Sequence, residues 1–221
     1  MKILALDSSG LVASVAVVEN DTLLAEYTVN YKKTHSQTLL PMLDEISNMT
    51  ELDLSTIDAI AVAGGPGSFT GLRIGSATAK GLGLALEKPL ISIPTTAAIA
   101  YNIWDTDKFV CPIMDARRNQ VYTGVYCYTD HRLDTVWEQD TMSIEALAEG
   151  LNCLDHEVIF LGDGVAVYRE KLEALLTIPF SFAPAHVNRQ RAAAVGALAE
   201  VYYKDGRRAR AGIPEKIAGG A

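Results

Sequence analysis

A glycine-rich stretch in the first third of the chain constrains its fold most strongly. Residues 64–75 have the sequence Gly-Gly-Pro-Gly-Ser-Phe-Thr-Gly-Leu-Arg-Ile-Gly. The apolar run 57–63 before it indicates a buried strand, and the helix-forming residues after it indicate a long helix. Glycine accepts positive φ at no steric cost and Pro66 has a fixed φ, so we expect a tight corner between strand and helix. A hydroxyl at Ser68 or Thr70 is suited to cap that helix.

Four small residues recur at every fourth position of the predicted helix: Gly71, Gly75, Ala79 and Gly83. This spacing puts them on one face. A glycine inside a helix costs roughly 0.5–1 kcal/mol relative to alanine, so we expect another backbone to lie very close. The corner itself has two interpretations, a phosphate cradle at a helix start or a contact for packing or for a partner. We favour the second, because the stretch lacks both G-x-G-x-x-G and the lysine of a P-loop.

The chain opens with three short β-rich runs, at 2–6, 12–18 and 22–29, which predict antiparallel strands with Asp7 at the first turn. The same order of apolar run, aspartate, short turn and β-rich run returns at 110–126, where Asp115 takes the place of Asp7. A repeat on this scale predicts two similar lobes. We place them at 1–104 and 105–221, with a last helix at about 189–204 that can pack back on the first lobe.

A second helix, beginning near Ser36 or Thr38, has a broad apolar side formed by Leu39, Leu40, Met42, Leu43, Ile46 and Met49. We expect this surface to be wider than one sheet face can cover. Further on, the pattern predicts a parallel strand at 89–93, a short helix to Tyr101, helices at 144–151 and 165–176, and a strand at 158–161.

Composition excludes several functions. A net charge of -8 and a pI near 5.0 argue against autonomous nucleic-acid binding. The three cysteines show no C-x-x-C spacing, so we expect them to be reduced and buried. None of the four histidines has a second histidine within five residues, which argues against a metal hydrolase. The apolar run at 3–6 is too short for a signal peptide or a membrane span, so we expect a cytoplasmic protein.

Five motifs carry a resemblance to known proteins, three of them to a superfamily and two to one family within it. The turns at Asp7-Ser8-Ser9 and at 115–118, with the Gly-Asp-Gly at 162–164, resemble the actin, Hsp70 and sugar-kinase (ASKHA) superfamily. The His-Ser-Gln-x-Leu-Leu-Pro at 35–41 and the stretch 65–75 are similar to the signature of the TsaB (YeaZ) family, also filed as M22 glycoprotease-like. This resemblance implies an α/β fold of two ribonuclease-H-like lobes with mixed sheets flanked by helices. The sequence departs from the family pattern at 213–217, where a Pro-x-Tyr-Leu-Arg-like segment is usual.

The resemblance implies a non-catalytic scaffold that activates a TsaD-type transferase in making N6-threonylcarbamoyladenosine (t6A) on tRNA, in a complex that a TsaE-type protein joins. We expect tRNA to be met only through the complex, no membrane contact, a homodimer when the partner is missing, and no catalysis by this chain alone. We expect neither a metal nor a cofactor on the isolated chain, with ATP and magnesium left open for the complex. The alternatives are an ATP-dependent phosphotransferase or ATPase with Asp7 and Asp115 around magnesium and, with less support, an M22-type metalloprotease.

Two sets of candidate site residues follow. By resemblance, nucleotide phosphates and adenosine would meet Asp7, Ser8, Ser9, Asp115, Gly162 and Gly164. The small-residue row and the apolar helix predict a partner interface at Leu39, Leu40, Met42, Leu43, Ile46, Gly71, Arg73, Gly75, Ala79 and Gly83. We assign no catalytic residue. Helices that are buried on all sides are the competing interpretation of the second set.

Overall fold

The computed structural model describes residues 1–31 and 37–208. His35 and Ser36 of the family-like motif, and the divergent segment 213–217, lie outside the described residues. Within the described ranges, no helix is both long enough and apolar enough to cross a membrane.

The first half folds as one mixed sheet with two helices on a face. Its strands are β1 (Lys2–Asp7), β2 (Val12–Glu19), β3 (Thr22–Asn30), β4 (Ala59–Ala63) and β5 (Leu90–Ile93), in the order β3-β2-β1-β4-β5. The first three pair antiparallel, and β4 and β5 add in parallel, as predicted. Helices α1 (Leu39–Thr50) and α2 (Phe69–Leu86) pack on one face, and α3 (Thr95–Ala100) follows β5.

The second half repeats this topology. Its strands are β6 (Phe109–Arg117), β7 (Gln120–Thr129), β8 (Arg132–Ser143), β9 (Val158–Leu161) and β10 (Phe180–Phe182), in the order β8-β7-β6-β9-β10. The pairing senses match those of the first sheet. Helices α4 (Ile144–Leu154) and α5 (Gly164–Leu175) correspond to α1 and α2, and α6 (Ala192–Lys204) ends the described fold. The repeat predicted from the two aspartate turns is confirmed at the level of topology.

Two strands were missed by the sequence patterns. β8 is a 12-residue edge strand whose side chains are mostly exposed or half-buried, so its charges hide the alternation of a half-buried strand. β10 has three residues, all half-buried. Pairing with a neighbouring strand therefore decides both elements, whereas their own residues carry little signal.

Helices α3 and α6 join the two halves. They contribute to one apolar cluster that also contains Ala5 of the first sheet and Val110 and Tyr126 of the second. The start of α6 is fixed by the first sheet, because the Ala192 amide donates to Ser14 Oγ at 2.8 Å. The boundary between the two domains at 104/105 stays a prediction.

Candidate functional site

An open cleft of about 560 Å³ lies between the two halves. The first half contributes the turn after β1 (9–11) and the start of α2 (67–70), and the second half contributes the end of β6 (114–117). Tyr122 and Asp163 complete the lining. The volume is in the range of ordinary small-molecule sites, so this cleft is where the predicted nucleotide residues have to be tested.

The first aspartate turn lies behind the wall of the cleft. Asp7 is fully buried, and its Oδ1 accepts hydrogen bonds from the Ser9 amide at 2.8 Å and the Ser9 hydroxyl at 2.6 Å. Ser8 Oγ donates to the carbonyl oxygen of Gly71 in α2 at 2.9 Å. Of these three predicted residues, only Ser9 lines the cleft.

The glycine-rich corner covers this turn. The Ser68 amide donates to the Ser9 carbonyl oxygen at 2.7 Å, and a Cβ on Gly67 would lie 2.2 Å from the same oxygen. Ser68 is also the N-cap of α2, accepting from the Gly71 amide at 3.2 Å, as predicted for Ser68 or Thr70. The corner therefore packs tightly against the first turn, as the packing interpretation requires.

The second aspartate turn is open to solvent. Asp115 is exposed, and its Oδ1 accepts from the Arg117 amide at 2.9 Å and the Tyr168 hydroxyl at 3.1 Å. The next residues, 117–119, all have positive φ, at 66°, 51° and 64°. Lys171 steadies the turn by donating to the Asn119 side-chain oxygen at 2.8 Å. This turn places the Asp115 and Arg117 side chains at the cleft.

The Gly-Asp-Gly segment at 162–164 has two roles, since its glycines pack against β6 and its aspartate lines the cleft. A Cβ on Gly162 would lie 2.2 Å from the Ile113 carbonyl oxygen, and one on Gly164 would lie 2.9 Å from it. Both glycines therefore allow α5 to begin directly against β6, behind the cleft wall. Asp163 between them does line the cleft, although it was not among the predicted nucleotide residues.

Asp163 has an unusual electrostatic environment. Burial raises the pKa of its carboxyl, and the nearby charge of Asp115 raises it further. The Asp115 amide and the Arg189 charge act in the opposite direction but do not cancel the effect of burial. The cleft thus holds one solvent-exposed carboxyl, on Asp115, and one carboxyl whose proton is held more tightly than usual.

This arrangement does not fit the residue set expected for magnesium and ATP. Asp7 is fully buried, accepts hydrogen bonds from Ser9 and does not line the cleft, whereas Asp115 is exposed and does. Among residues 1–31 and 37–208 there is no group of three histidine, cysteine, aspartate or glutamate side chains placed to hold a metal ion.

Of the cysteines, Cys111 is buried, and burial raises the pKa of its thiol to about 12. Cys127 is half-buried and Cys153 is exposed, so the expectation that all three are buried is wrong.

Most of the predicted interface residues belong to the core. Their shared feature is that they lie on the sides of α1 and α2 that face the first sheet. The buried members are Leu39, Met42, Leu43, Ile46, Gly71, Gly75, Ala79 and Gly83. A Cβ on Gly75 would lie 2.4 Å from Ser8 Oγ, so the small-residue row serves the close approach of α2 to β1. These eight residues cannot contact a partner directly, and their assignment is corrected to core packing.

The outer sides of the same helices carry the exposed apolar surface, which we call the helix face. It contains Leu40, Met49, Phe69 and Leu84, which are 54%, 76%, 69% and 59% exposed. Arg73 is exposed beside them, with its guanidinium 4.0 Å from the centre of the Phe69 ring. Leu40 and Arg73 were in the predicted set, whereas Met49, Phe69 and Leu84 were missed. Met49 had been placed on the apolar side of α1 but not in the interface set, and Leu84 lies on the side of α2 opposite the small-residue row at helical spacing.

Comparisons with known proteins agree on one family. Residues 22–216 match the family model described as "TsaD: tRNA N6-adenosine threonylcarbamoyltransferase". The tRNA threonylcarbamoyladenosine biosynthesis protein TsaB of Bacillus subtilis is 35% identical over 80% of this chain and 77% of its own length. The protein of the same name from Escherichia coli is 32% identical over 74% of this chain and 72% of its own length.

Solved structures give the same fold. YeaZ from Pseudomonas aeruginosa has a TM-score of 0.81 and 27% identity, with 95% of both chains covered. An inorganic polyphosphate/ATP-glucomannokinase from Arthrobacter has a TM-score of 0.54 at 16% identity, a likeness of fold alone. The fold is thus the predicted one of two ribonuclease-H-like lobes, shared with sugar kinases.

Proposed function

Because the chain belongs to the TsaB (YeaZ) family of tRNA threonylcarbamoyladenosine biosynthesis proteins, we propose that it is the accessory subunit of a threonylcarbamoyl transfer complex. It holds and activates a TsaD-type transferase, which carries the reactive groups. The alternatives, an ATPase and a metalloprotease, have no such support.

The observation that carries this proposal is the helix face. Four large apolar side chains lie exposed on α1 and α2, two neighbouring helices of one sheet face. Large exposed apolar side chains gathered on two neighbouring helices are typical of interaction sites, where aromatic residues, methionine and arginine are enriched. The small-residue row of α2 and the buried apolar side of α1 hold the two helices against the sheet, so the helix face is presented on a rigid support.

The closed first turn is consistent with a scaffold. An ATP-dependent enzyme of this fold would need both aspartate turns open to the nucleotide, whereas here Asp7 is tied to Ser9 and covered by the start of α2. The proposal extends to a TsaE-type protein that joins the complex and to tRNA that this chain meets only within it.

Charge placed on the helix face tests the proposal. Leu84→Glu and Met49→Glu each put a carboxylate at an exposed position, so the fold should persist while binding to the TsaD-type protein of the same organism weakens at least tenfold. Isothermal titration calorimetry measures the affinity, and t6A formation on tRNA with purified components measures the function. Val167→Glu, at an exposed residue of α5, is the matched control.

Full affinity and full t6A formation in both helix-face variants would refute the helix face as the docking site. Undiminished t6A formation in the complete absence of this chain would refute the accessory role itself.

A further inference from the structure

Basic side chains are concentrated at the end of the chain. Five of the 19 lysines and arginines, but only two of the 27 acidic residues, lie in 201–221. The rest of the chain is therefore more acidic than the net charge of -8 indicates. Charge asymmetry of this kind is typical of a segment that meets a polyanion. The described residues up to 208 show where the first of these cations lie.

The end of α6 holds two arginines over aromatic rings. Gly206 has a positive φ of 78°, which lets the chain turn back so that the Arg207 amide donates to the Tyr202 carbonyl oxygen at 2.8 Å. The guanidinium of Arg207 lies 4.3 Å from the centre of the Tyr202 ring. In the same way, Arg208 lies 4.3 Å from the centre of the Tyr203 ring. Stacking restricts both guanidinium groups, although both arginines remain exposed.

Two further cations lie beside these arginines. Lys204 is exposed in the last turn of α6, and Arg132 reaches the same place from β8, where it donates to the Asp205 carboxylate at 3.2 Å. Asp205 is also 3.7 Å from Arg207, and a second acid, Glu138, lies near the same helix end. Four cations thus meet two acids. We call these four cations the basic end: Arg132, Lys204, Arg207 and Arg208.

The basic end is suited to phosphate groups. Lys204 and Arg208 form no ion pair in the part of the chain that the structure describes, so a partner can meet their charge. A guanidinium presents parallel N–H groups that match a phosphate, and one that is already stacked on a ring loses less freedom on binding. A surface with few cations on an acidic protein does not bind RNA alone, but it can hold an RNA that a partner protein has already placed.

We propose that the basic end contacts the phosphate backbone of the tRNA once the transferase complex has formed. This inference rests on the proposed function, because that function brings a polyanion to the chain. Contacts to phosphate add affinity and orient the RNA without selecting a base sequence. The basic end does not overlap with the helix face, since α6 packs on the opposite face of the first sheet from α1 and α2.

The salt dependence of tRNA binding tests this contact. The double variant with Arg207→Gln and Arg208→Gln is assembled with the TsaD-type protein of the same organism. Fluorescence anisotropy measures its affinity for tRNA at several concentrations of potassium chloride. We expect the affinity to fall at least about fivefold and the slope of log K against log salt concentration to fall by roughly 1 to 2, because two phosphate contacts are lost. Calorimetry should show an unchanged affinity for the TsaD-type protein.

Arg169→Gln is the matched control. Arg169 of α5 is also stacked on a ring, 4.0 Å from the centre of Phe182, and its side chain is 51% exposed against 58% for Arg207. Phe182 belongs to β10, which lies at the opposite edge of the second sheet from β8 and its Arg132. We therefore expect this variant to keep the full affinity for tRNA and the full salt slope.

Unchanged tRNA affinity and salt slope in the double variant would overturn the proposal, and so would an equal loss in Arg169→Gln. Weakened binding to the TsaD-type protein would also overturn it, because the basic end would then belong to protein docking. Binding of the isolated chain to phosphatidylglycerol vesicles, lost in the double variant while tRNA affinity stays full, would assign the basic end to a membrane instead. Failure of any complex to form would refute the proposed function together with this inference, whereas a complex of the double variant with full tRNA affinity refutes the inference alone.

Discussion

The two aspartate turns share the same local hydrogen bond but differ in their burial. In each, the carboxylate accepts from the backbone amide two residues later, at 2.8 Å for Asp7 and 2.9 Å for Asp115. Yet Asp7 is fully buried and Asp115 is exposed. The local sequence therefore determines the shape of the turn, and something outside it determines whether a ligand can reach the acid.

The difference comes from the helix that packs beside each turn. In the first half, α2 starts directly over the turn because Gly67 and Gly75 leave room for Ser9 and Ser8. In the second half, α5 reaches the turn through two side chains, the Tyr168 hydroxyl, which donates to Asp115, and Lys171, which donates to Asn119, and it leaves the turn uncovered. One turn has become part of the core and the other still faces the cleft.

Filling the space between α2 and the turn after β1 with a side chain should have the largest effect on stability. Gly75→Leu puts a side chain where even a Cβ would lie 2.4 Å from Ser8 Oγ, so we expect the free energy of unfolding to fall by about 3 kcal/mol. Chemical denaturation measures it. Gly81→Leu on the exposed side of the same helix is the control, because a Cβ there meets nothing within 4 Å. Equal stability of the two variants would mean that α2 does not depend on this close approach.

Truncating the two aspartates compares the turns directly. Asp7→Ala leaves the buried Ser9 amide without its acceptor, at an expected cost of about 2–3 kcal/mol. Asp115→Ala should cost less than about 1 kcal/mol, because water can replace the carboxylate at an exposed turn. Thermal and chemical denaturation of both variants check the order. Similar losses would show that the turns are energetically equivalent despite their different burial.

Substitution of Asp163 should have the smallest effect on stability, and that effect should depend on pH. Burial raises its pKa in the folded state, so the folded state binds this proton more tightly than the unfolded chain does. Its contribution to stability is therefore fully present below the ordinary aspartate pKa of about 4 and is lost as the pH rises through the raised value. Asp163→Asn should be more stable than the natural chain at pH 7, and the gap should close in acid. A gap independent of pH, in denaturation curves taken from pH 3 to 8, would contradict this assignment.

Much of the fold was predictable because it depends on short-range patterns. The apolar runs gave the central strands of both sheets, the glycine corner gave the start of α2, and the repeated aspartate turn predicted two halves of one topology. Strand β8 was not predictable, since its charged residues resemble a loop until β7 pairs with them. The family was also readable from the sequence, since its motifs are long and contiguous.

The functional surface was only partly predictable. The sequence determined that α2 has a row of small residues and that α1 has a broad apolar side. Both features are as typical of a helix face buried in the core as of a partner interface. Only the tertiary structure decided that the row faces Ser8 and that Leu40, Met49, Phe69 and Leu84 remain outside. Helical periodicity specifies which residues share a face, whereas the packing of helices on a sheet specifies which face is covered. For the same reason the sequence showed two aspartate turns, whereas only the packing of α2 in the folded chain buried one of them.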